Sequence, residues 1–336
     1  MRRLLLTLGA AVLVCGLACA AQGTCKPSSK KAAVSENGKR ASKKKQSRRL
    51  RERLIPTYAR NGLPNIQARA AVVVDLTTGQ PLFQKNPDEV RPIASISKLL
   101  AMLVVLDHKL NFEAASTISQ DDARRTVRGA KSRLLVGFAL SNRDLFHAAL
   151  MASDNRAVLA LGRSVGLSPT EFAREMTAKA QSLGLRKTTF HDPTGLDYGN
   201  VSSPRETVAM LLAALKNPLI AKAVKTRTYV AKTLGAKKRT IDYSNTDVLL
   251  ASRHEIFGGK TGYNDQAGYC LVVAARIAGA AGKSKEVAMA FLGEEGKMTR
   301  FADFGRTAQW LVEKHLAEPA QKSAKLAAAT RRARTR

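Results

Sequence analysis

Short apolar runs rich in β-branched residues lie near both ends of the chain and predict strands. Residues 71–76 form such a run, and a turn at 77–79 connects it to residues 82–83 as a hairpin. Residues 269–277 are apolar almost without interruption, as expected of a strand that is covered on both faces. Residues 287–292 follow as a further strand. The pattern therefore predicts sheet-forming segments at the two ends of the sequence.

The middle of the chain carries the start signals of helices. Three serines, Ser141, Ser168 and Ser203, each precede an acid by three residues and an apolar helical repeat, so they are predicted N-caps. A proline follows Ser168 and Ser203 at the first helical position, and in both the acid is the glutamate of a capping box. A long apolar helix is predicted to begin at Ser95, and a last one covers 300–316.

Strands at both ends with helices between them predict an α/β fold of the α+β kind. We expect one antiparallel sheet built from both ends of the chain, with a helical lobe between. A second, separate hairpin is predicted from residues 228–230 and 239–241, which turn across Gly235. The sequence contains no internal repeat.

The first twenty residues predict a secretory signal peptide. Arg2 and Arg3 precede an apolar run over 4–17 that is too short for a membrane-spanning helix of about 20 residues. Ala18-Cys19-Ala20 then supplies the small residues of a cleavage site. We therefore expect a periplasmic protein, with cleavage after residue 20. Lipidation at Cys19 is the alternative, although Gly16 stands where a lipoprotein signal usually has leucine.

About half of the formal charge of +30 lies in two short flanking segments. Residues 26–53 hold twelve Lys or Arg against two acids, so 21–53 is predicted to be a basic disordered linker. Residues 317–336 form a second basic tail, which leaves 54–316 as the folded domain. Behind a signal peptide, such tails favour anionic envelope polymers or a membrane surface over nucleic acid. A solvated tether without a partner is the alternative.

Three short motifs carry the candidate chemistry. Ser95-x-x-Lys98 puts a hydroxyl and an amine on one helical turn, whereas Ser97 faces elsewhere. The same spacing recurs at Ser28 and Ser42 in the basic linker, so it is informative only in combination. Ser153-Asp154-Asn155 follows a predicted helix, and Lys260-Thr261-Gly262 precedes a predicted strand. This ordered triple is the signature of penicillin-binding proteins and class A β-lactamases.

The residue types suggest roles in acyl transfer. Ser95 would attack a carbonyl, Lys98 would take its proton, and Ser153 would relay a proton to the leaving amine. Burial and the like charge of Lys260 both favour a neutral Lys98. The candidate catalytic residues are therefore Ser95, Lys98 and Ser153. The candidate substrate-binding residues are Asn155, Lys260, Thr261, Gly262 and Tyr263, whose N–H would join that of Ser95 in an oxyanion hole.

No cofactor and no metal site is predicted. The five histidines are scattered and show no metal-ligand spacing. Cys270 lies inside the apolar run of 269–277, where a buried structural thiol is expected. Asp154, the middle residue of its motif, is expected to be structural.

The sequence resembles the low-molecular-mass penicillin-binding proteins, the serine D-alanyl-D-alanine peptidases, and among them the endopeptidases of the penicillin-binding protein 7 type. The three motifs and Asp192-Pro193-Thr194-Gly195-Leu196 carry the resemblance, which extends over about 66–316. It implies a serine β-lactamase/transpeptidase-like fold, attack on D-alanyl–diaminopimelate cross-links of peptidoglycan stem peptides, and acylation by β-lactam antibiotics. It also implies that Arg300 helps to bind a substrate carboxylate.

Two departures refine this expectation. The loop after Ser153-Asp154-Asn155 lacks the Glu-x-x-Leu-Asn with which class A β-lactamases activate water, so rapid β-lactam hydrolysis is not expected. The chain ends soon after the last predicted helix, which favours the short endopeptidase type over carboxypeptidases with a second β-domain. A D-alanyl-D-alanine carboxypeptidase that trims pentapeptide stems remains an alternative. A β-lactam sensor or wall-binding module without turnover is an alternative of another class.

Overall fold

The computed structural model describes residues 55–235, 238–279 and 282–316. The predicted signal peptide, basic linker and basic tail lie outside the described residues. The strands are β1 (Ala70–Asp75), β2 (Pro81–Lys85), β3 (Arg91–Pro92), β4 (Ala115–Thr117), β5 (Ala139–Ser141), β6 (Val201–Ser202), β7 (Thr228–Lys232), β8 (Thr240–Ser244), β9 (Glu255–Asn264), β10 (Gly268–Ala278) and β11 (Ser284–Glu294). The α-helices are α1 (Lys98–Asp107), α2 (Gln120–Arg125), α3 (Asn142–Met151), α4 (Asn155–Ser164), α5 (Pro169–Ser182), α6 (Pro204–Leu215), α7 (Pro218–Lys225) and α8 (Thr299–His315).

The main sheet confirms the predicted architecture. It has five strands in the order β2-β1-β11-β10-β9, and every neighbouring pair is antiparallel. The first and the last strands of the chain meet at its centre, where Val72 pairs with Ala290. Among the strands of the described ranges, β9, which carries the Lys-Thr-Gly motif, lies at the edge of the sheet and pairs only with β10. The separate hairpin of β7 and β8 also forms as predicted.

Two hydrophobic clusters cover the two faces of this sheet. Alternating side chains point to opposite faces of a strand, so Val72 and Val272 pack in the cluster shared with the helical lobe. Their neighbours Val73 and Val273 pack in the cluster shared with α8. This double coverage explains the continuous apolar run of β10, which the sequence had predicted.

The helix starts predicted at the three serine N-caps are confirmed, with one correction to a capping box. Ser141, Ser168 and Ser203 each accept a hydrogen bond from the backbone N–H three residues later. Ser168 and its glutamate form a complete capping box. The box predicted at Ser203 does not close, because the carboxylate of Glu206 accepts from the N–H of Lys187 at 2.9 and 3.0 Å instead.

The helix predicted to begin at Ser95 begins later. Ala94–Ser97 forms a 3-10 turn, and the α-helix starts at Lys98. Ala94 has φ of 48°, a left-handed conformation that an α-helix does not accommodate. Ser95 therefore lies on a tight turn that leads into α1, three residues before Lys98.

No single helix in the described ranges is both long and apolar enough to cross a membrane. Helices α6 and α7 meet such a criterion only as a pair, and they are bent by 107° at the break between them.

Candidate active site

Ser95 and Lys98 lie in contact at the start of α1. The Nζ atom of Lys98 is 2.8 Å from Ser95 Oγ, 2.7 Å from Asn155 Oδ1 and 2.5 Å from the carbonyl oxygen of Thr194. The Lys98 side chain is fully buried, and Ser95 remains partly accessible. The spacing read from the sequence thus produces a direct hydroxyl–amine contact.

The partners of Lys98 determine what a neutral amine can do there. A neutral amine has two N–H bonds and one lone pair. The amide oxygen of Asn155 and the carbonyl of Thr194 can only accept hydrogen bonds. With both N–H groups donated to them, the lone pair is left for the hydroxyl of Ser95. This arrangement suits a base that removes the proton of Ser95.

Burial keeps the amine of Lys98 close to neutrality. It lowers the pKa of Lys98 to about 7, although the carboxylates of Asp192 and Asp154 act in the opposite direction. Burial also lowers the pKa of Lys260 well below its usual value, and the charge of Lys98 contributes to that effect. Burial, rather than the like charge of Lys260, is therefore the leading cause at Lys98.

Ser153 and Lys260 form the second hydroxyl–amine pair of the site. Lys260 Nζ lies 3.0 Å from Ser153 Oγ and 3.0 Å from the carbonyl of Thr261. Ser153 has φ of 62°, a left-handed conformation that is uncommon outside glycine and is frequent at functional sites. The turn between α3 and α4 thus directs the Ser153 hydroxyl towards strand β9.

Asp154 and Asn155 start helix α4. The carboxylate of Asp154 is the N-cap and accepts from the N–H groups of Arg156 and Ala157 at 3.0 and 3.2 Å. This explains why the middle residue of the motif is structural. Asn155 is then fixed at the first helical position, where its amide oxygen holds Lys98.

Two glycines lie very close to the backbone of the turn that carries Ser95. A Cβ at Gly195 would lie 2.2 Å from the carbonyl oxygen of Ala94 and 2.7 Å from the nitrogen of Ser95. A Cβ at Gly262 would lie 2.6 Å from the carbonyl oxygen of Ile93 and 3.3 Å from the nitrogen of Ser95. Strand β9 and the loop of Gly195 therefore both approach the backbone of the nucleophile closely.

Tyr263 and Arg300 flank this end of β9. The ring of Tyr263 is half exposed and stacks on Tyr269 with 4.2 Å between centroids. Arg300 is buried, and its Nη1 donates to the carbonyls of Gly262 and Cys270 at 2.9 and 3.1 Å. The structure thus places Arg300 beside the Lys-Thr-Gly motif as a clamp between β9 and β10. Cys270 is buried and forms no disulfide with any described residue, which agrees with the structural role expected of it.

Several residues of the site carry no signal strong enough to assign them from sequence. Thr246 accepts a hydrogen bond from the hydroxyl of Thr261 at 2.7 Å, and its own N–H donates to the carbonyl of Met151. Thr194 holds Lys98 through its carbonyl, which is independent of the side chain. The sequence shows the turn-rich motif around Thr194, but it does not predict the contact of this motif with Lys98.

Asn200 and Ser97 complete the support of the turn. Asn200 donates to Ser97 Oγ at 3.1 Å and to the carbonyl of Asp192 at 2.7 Å. Ser97 is fully buried and donates to the carbonyl of Ala94, so it stabilises the turn. Within the described part of the chain, no group of three or more His, Cys, Asp or Glu could hold a metal ion.

Known proteins are similar to this chain over most of its length. The D-alanyl-D-alanine endopeptidase of Escherichia coli K12 is 36% identical over 275 residues, which cover 79% of this chain and 86% of that protein. The D-alanyl-D-alanine endopeptidase of Pseudomonas aeruginosa is 36% identical over 256 residues, covering 74% and 80%. The crystal structure of the Streptomyces K15 DD-transpeptidase superposes with a TM-score of 0.68 at 30% identity, covering 74% of this chain and 98% of that one.

The family assignment agrees with these relatives and with the resemblance of the motifs. A sequence profile of the D-alanyl-D-alanine carboxypeptidases matches residues 57–289, which contain all three motifs. The chain therefore belongs to the D-alanyl-D-alanine carboxypeptidase family of serine peptidases.

Proposed function

We propose that the protein is a serine D,D-peptidase that cleaves peptidoglycan stem peptides through an acyl-enzyme on Ser95. The 2.8 Å contact between Lys98 Nζ and Ser95 Oγ is the observation that carries the proposal, because a neutral amine at that distance can accept the proton of the hydroxyl. Ser95 is the nucleophile and Lys98 is its base. No cofactor is required for this chemistry.

The proposed reaction has two steps. Ser95 Oγ attacks the carbonyl of a D-alanyl residue while Lys98 takes its proton, and the N–H groups of Ser95 and Tyr263 stabilise the oxyanion. Lys98 passes that proton to the leaving amine through the hydroxyl of Ser153, which Lys260 holds, and the C–N bond breaks. Water then hydrolyses the acyl-Ser95 ester and restores the enzyme.

Substrate binding is assigned to the residues around strand β9. Asn155 holds Lys98 and faces the substrate backbone. Lys260 and the Thr261 hydroxyl bind a carbonyl or carboxylate of the substrate, and Arg300 supports this end of β9 through the Gly262 carbonyl. Because β9 is an edge strand, an extended peptide can add to it by backbone hydrogen bonds.

We propose that cross-links, rather than the terminal D-alanine of pentapeptides, are the main substrate. The two relatives at 36% identity are endopeptidases, and they support this choice. The family description supports carboxypeptidase activity as the second candidate. Incubation with cross-linked dimeric muropeptides and with monomeric pentapeptides, followed by separation of the products, distinguishes the two. Release of D-alanine without cleavage of dimers would favour the carboxypeptidase.

Trapping with labelled penicillin tests the mechanism. We expect one label per chain, on the peptide that contains Ser95, and no label in the Ser95→Ala variant. A label on another serine, or none, would contradict the proposed nucleophile. A labelled protein that cleaves neither muropeptide would instead be a sensor without turnover.

We also propose that the protein works in the periplasm and that its basic segments bind anionic envelope polymers or the membrane surface. The sequence of residues 1–20 and the positive charge of 21–53 and 317–336 support this. Sequencing of the mature N-terminus should locate the cleavage site. Cosedimentation with cell walls should weaken as salt rises, because exposed charges are screened.

A further inference from the structure

We propose that residues 126–136, here called the 126–136 loop, form a specificity element that binds the free carboxylates of the substrate's peptide arm through Arg128 and Lys131. This inference deepens the proposed function and rests on it. It adds two residues to substrate recognition that none of the three motifs includes.

The 126–136 loop lies directly against the candidate active site. A Cβ at Gly129 would be 2.3 Å from Asn155 Nδ2 and 3.1 Å from the side chain of Leu196. The other end of the same Asn155 amide holds Lys98 at 2.7 Å. One side chain therefore separates the backbone of the loop from the base of the site. Only glycine permits this approach, because any larger residue would displace the amide.

The loop is tied to both neighbours of Asn155. Ser132 Oγ donates to the carboxylate of Asp154 at 2.6 Å and accepts from the N–H of Leu134 at 3.0 Å. Arg156 donates to the carbonyl of Leu134 at 2.6 Å. These contacts fix the backbone just after Lys131, and around Arg128 the carbonyl of Thr126 accepts from the N–H of Gly129 at 3.0 Å. The side chains of Arg128 and Lys131 are thus presented from a backbone that is fixed to the Ser-Asp-Asn motif.

The charge of the loop has no internal compensation. It contains Arg128, Lys131 and Arg133, all exposed, and no acid. Arg133 donates to the carbonyl of Asp242. Within the described residues, Arg128 and Lys131 have neither an ion pair nor a hydrogen bond.

The adjacent helix behaves differently. Arg124 and Arg125 of α2 both pair with Asp121, although they are as exposed as the loop cations. Like charges without partners repel each other. An anionic ligand that binds between them reduces this repulsion and is itself attracted to both cations. Arg128 and Lys131 are therefore available to an anionic ligand beside the site.

Carboxylates are the anions that the proposed substrate supplies. A cross-linked stem peptide has a diaminopimelate residue, whose second carboxyl group is not used in the peptide chain, and arginine binds carboxylates with two parallel hydrogen bonds. Penicillin is a much smaller ligand, and its one carboxylate is assigned to Lys260 and Thr261. The loop should therefore discriminate between the two ligands.

The test compares the wild type with the Arg128→Ala/Lys131→Ala variant. We expect KM for cross-linked dimers to rise about tenfold, which corresponds to about 1.4 kcal/mol and lies within the range for the loss of two exposed ion pairs. We expect kcat for dimers and the rate of acylation by benzylpenicillin to stay within about twofold. The rise in KM should shrink as salt increases. An Arg174→Ala/Arg186→Ala variant, which removes the same charge from exposed positions outside the loop, should behave like the wild type.

A binding measurement separates this inference from the proposed function. Calorimetry with dimeric muropeptide and Ser95→Ala protein, with and without the two loop substitutions, reports affinity without turnover. Weaker binding in the loop variant supports the inference even if the wild type fails to cleave dimers, which would refute only the proposed function. Unchanged affinity and KM would overturn the inference. An equal loss of penicillin acylation would also overturn it, because it would show that the loop only supports Asn155.

Discussion

The surroundings of Lys98 act on its pKa in opposite directions. Burial lowers its pKa to about 7, and the carboxylates of Asp192 and Asp154 limit the shift. A base with a pKa near the working pH combines a useful population of the neutral form with adequate basicity. The surroundings of this one side chain therefore set the pH at which the site becomes reactive.

Acylation by benzylpenicillin should rise with pH through an apparent pKa of about 7. Only the neutral amine can accept the proton of Ser95, so the rate is lost as Lys98 becomes protonated at lower pH. In the Asp154→Asn variant the rise of the acylation rate should occur at lower pH, because the substitution removes a charge that raises the pKa of Lys98. Asparagine remains a good N-cap for α4. The second-order acylation rate, measured from pH 5 to 9, checks both statements.

If the acylation rate of Asp154→Asn rises at the same pH as that of the wild type, the apparent pKa does not belong to Lys98. The Glu113→Gln variant serves as the control, since Glu113 is exposed and pairs with Arg143 at the surface. Its pH profile should match that of the wild type.

The spacing of residues along the chain predicts the contact that spans one helical turn. Spacing alone does not predict contacts between residues that are far apart in the sequence. The pairing of Ser95 with Lys98 follows from three residues of separation. The Thr194 carbonyl that also holds Lys98 lies 96 residues away in the chain, and any residue type could supply it. Thr246 is an ordinary loop threonine until the fold brings it to Thr261. Sequence motifs thus identify the reactive groups and Asn155, which holds Lys98, but not the Thr194 carbonyl or the Thr246 hydroxyl.

At the scale of elements, the turn of Ser95 is enclosed by a strand and a loop. Gly262 of β9 and Gly195 of the 192–196 loop approach the same backbone, so neither position has room for a side chain. The start of α1 is therefore positioned by elements far away in sequence. The sequence predicts that the helix begins at Ser95, and this start is wrong. The left-handed φ of Ala94 is imposed by this packing and is not a local preference, so the sequence gives no sign of it.

Gly195→Ala should cut the acylation rate by about 100-fold, the loss expected when a reacting group moves by about 1 Å. Its Cβ would lie 2.2 Å from the carbonyl oxygen of Ala94, and φ of 86° is strained for alanine. Gly79→Ala is the matched control. Gly79 has φ of 72° with nothing within 4 Å of a Cβ, so it has a similar backbone cost without the contact.

Acylation rates and urea unfolding curves of the two alanine variants separate these effects. Gly79→Ala should lose about 1 kcal/mol of unfolding free energy and keep its acylation rate. Normal acylation in Gly195→Ala would show that the turn of Ser95 tolerates displacement by the loop.

At the scale of the whole molecule, the two ends of the folded region are joined through Asp303 of α8. Its buried carboxylate accepts from the N–H groups of Gln67 and Ala68, just before β1, at 2.9 to 3.1 Å. The predicted sheet from both chain ends is correct, since apolar period and strand length specify it. The polar contact that joins those ends could not be predicted, because isolated Asp and Gln residues carry no pairing signal.

Glu294, at the end of β11, makes this junction sensitive to pH. It is buried, neither of its carboxylate oxygens has a hydrogen-bond donor among the described residues, and Asp303 lies beside it. Burial, with the interaction with Asp303 second, raises the pKa of Glu294 to about 10. The folded protein therefore keeps a proton that the unfolded chain releases above its usual pKa of 4.5.

This linkage predicts that Glu294→Gln stabilises the protein at neutral and alkaline pH. A raised folded-state pKa means that stability is fully present below pH 4.5 and is lost as pH rises towards 10. Glutamine has the same shape and can donate to Asp303 without binding a proton. Urea unfolding at pH 5, 7 and 8 should show near-equal stabilities at pH 5 and an advantage of about 1–3 kcal/mol for the variant at pH 8. Glu113→Gln, whose side chain is exposed and pairs with Arg143 at the surface, should follow the wild type. A Glu294→Gln curve that runs parallel to the wild type at every pH would show that Glu294 is ionised in the folded protein.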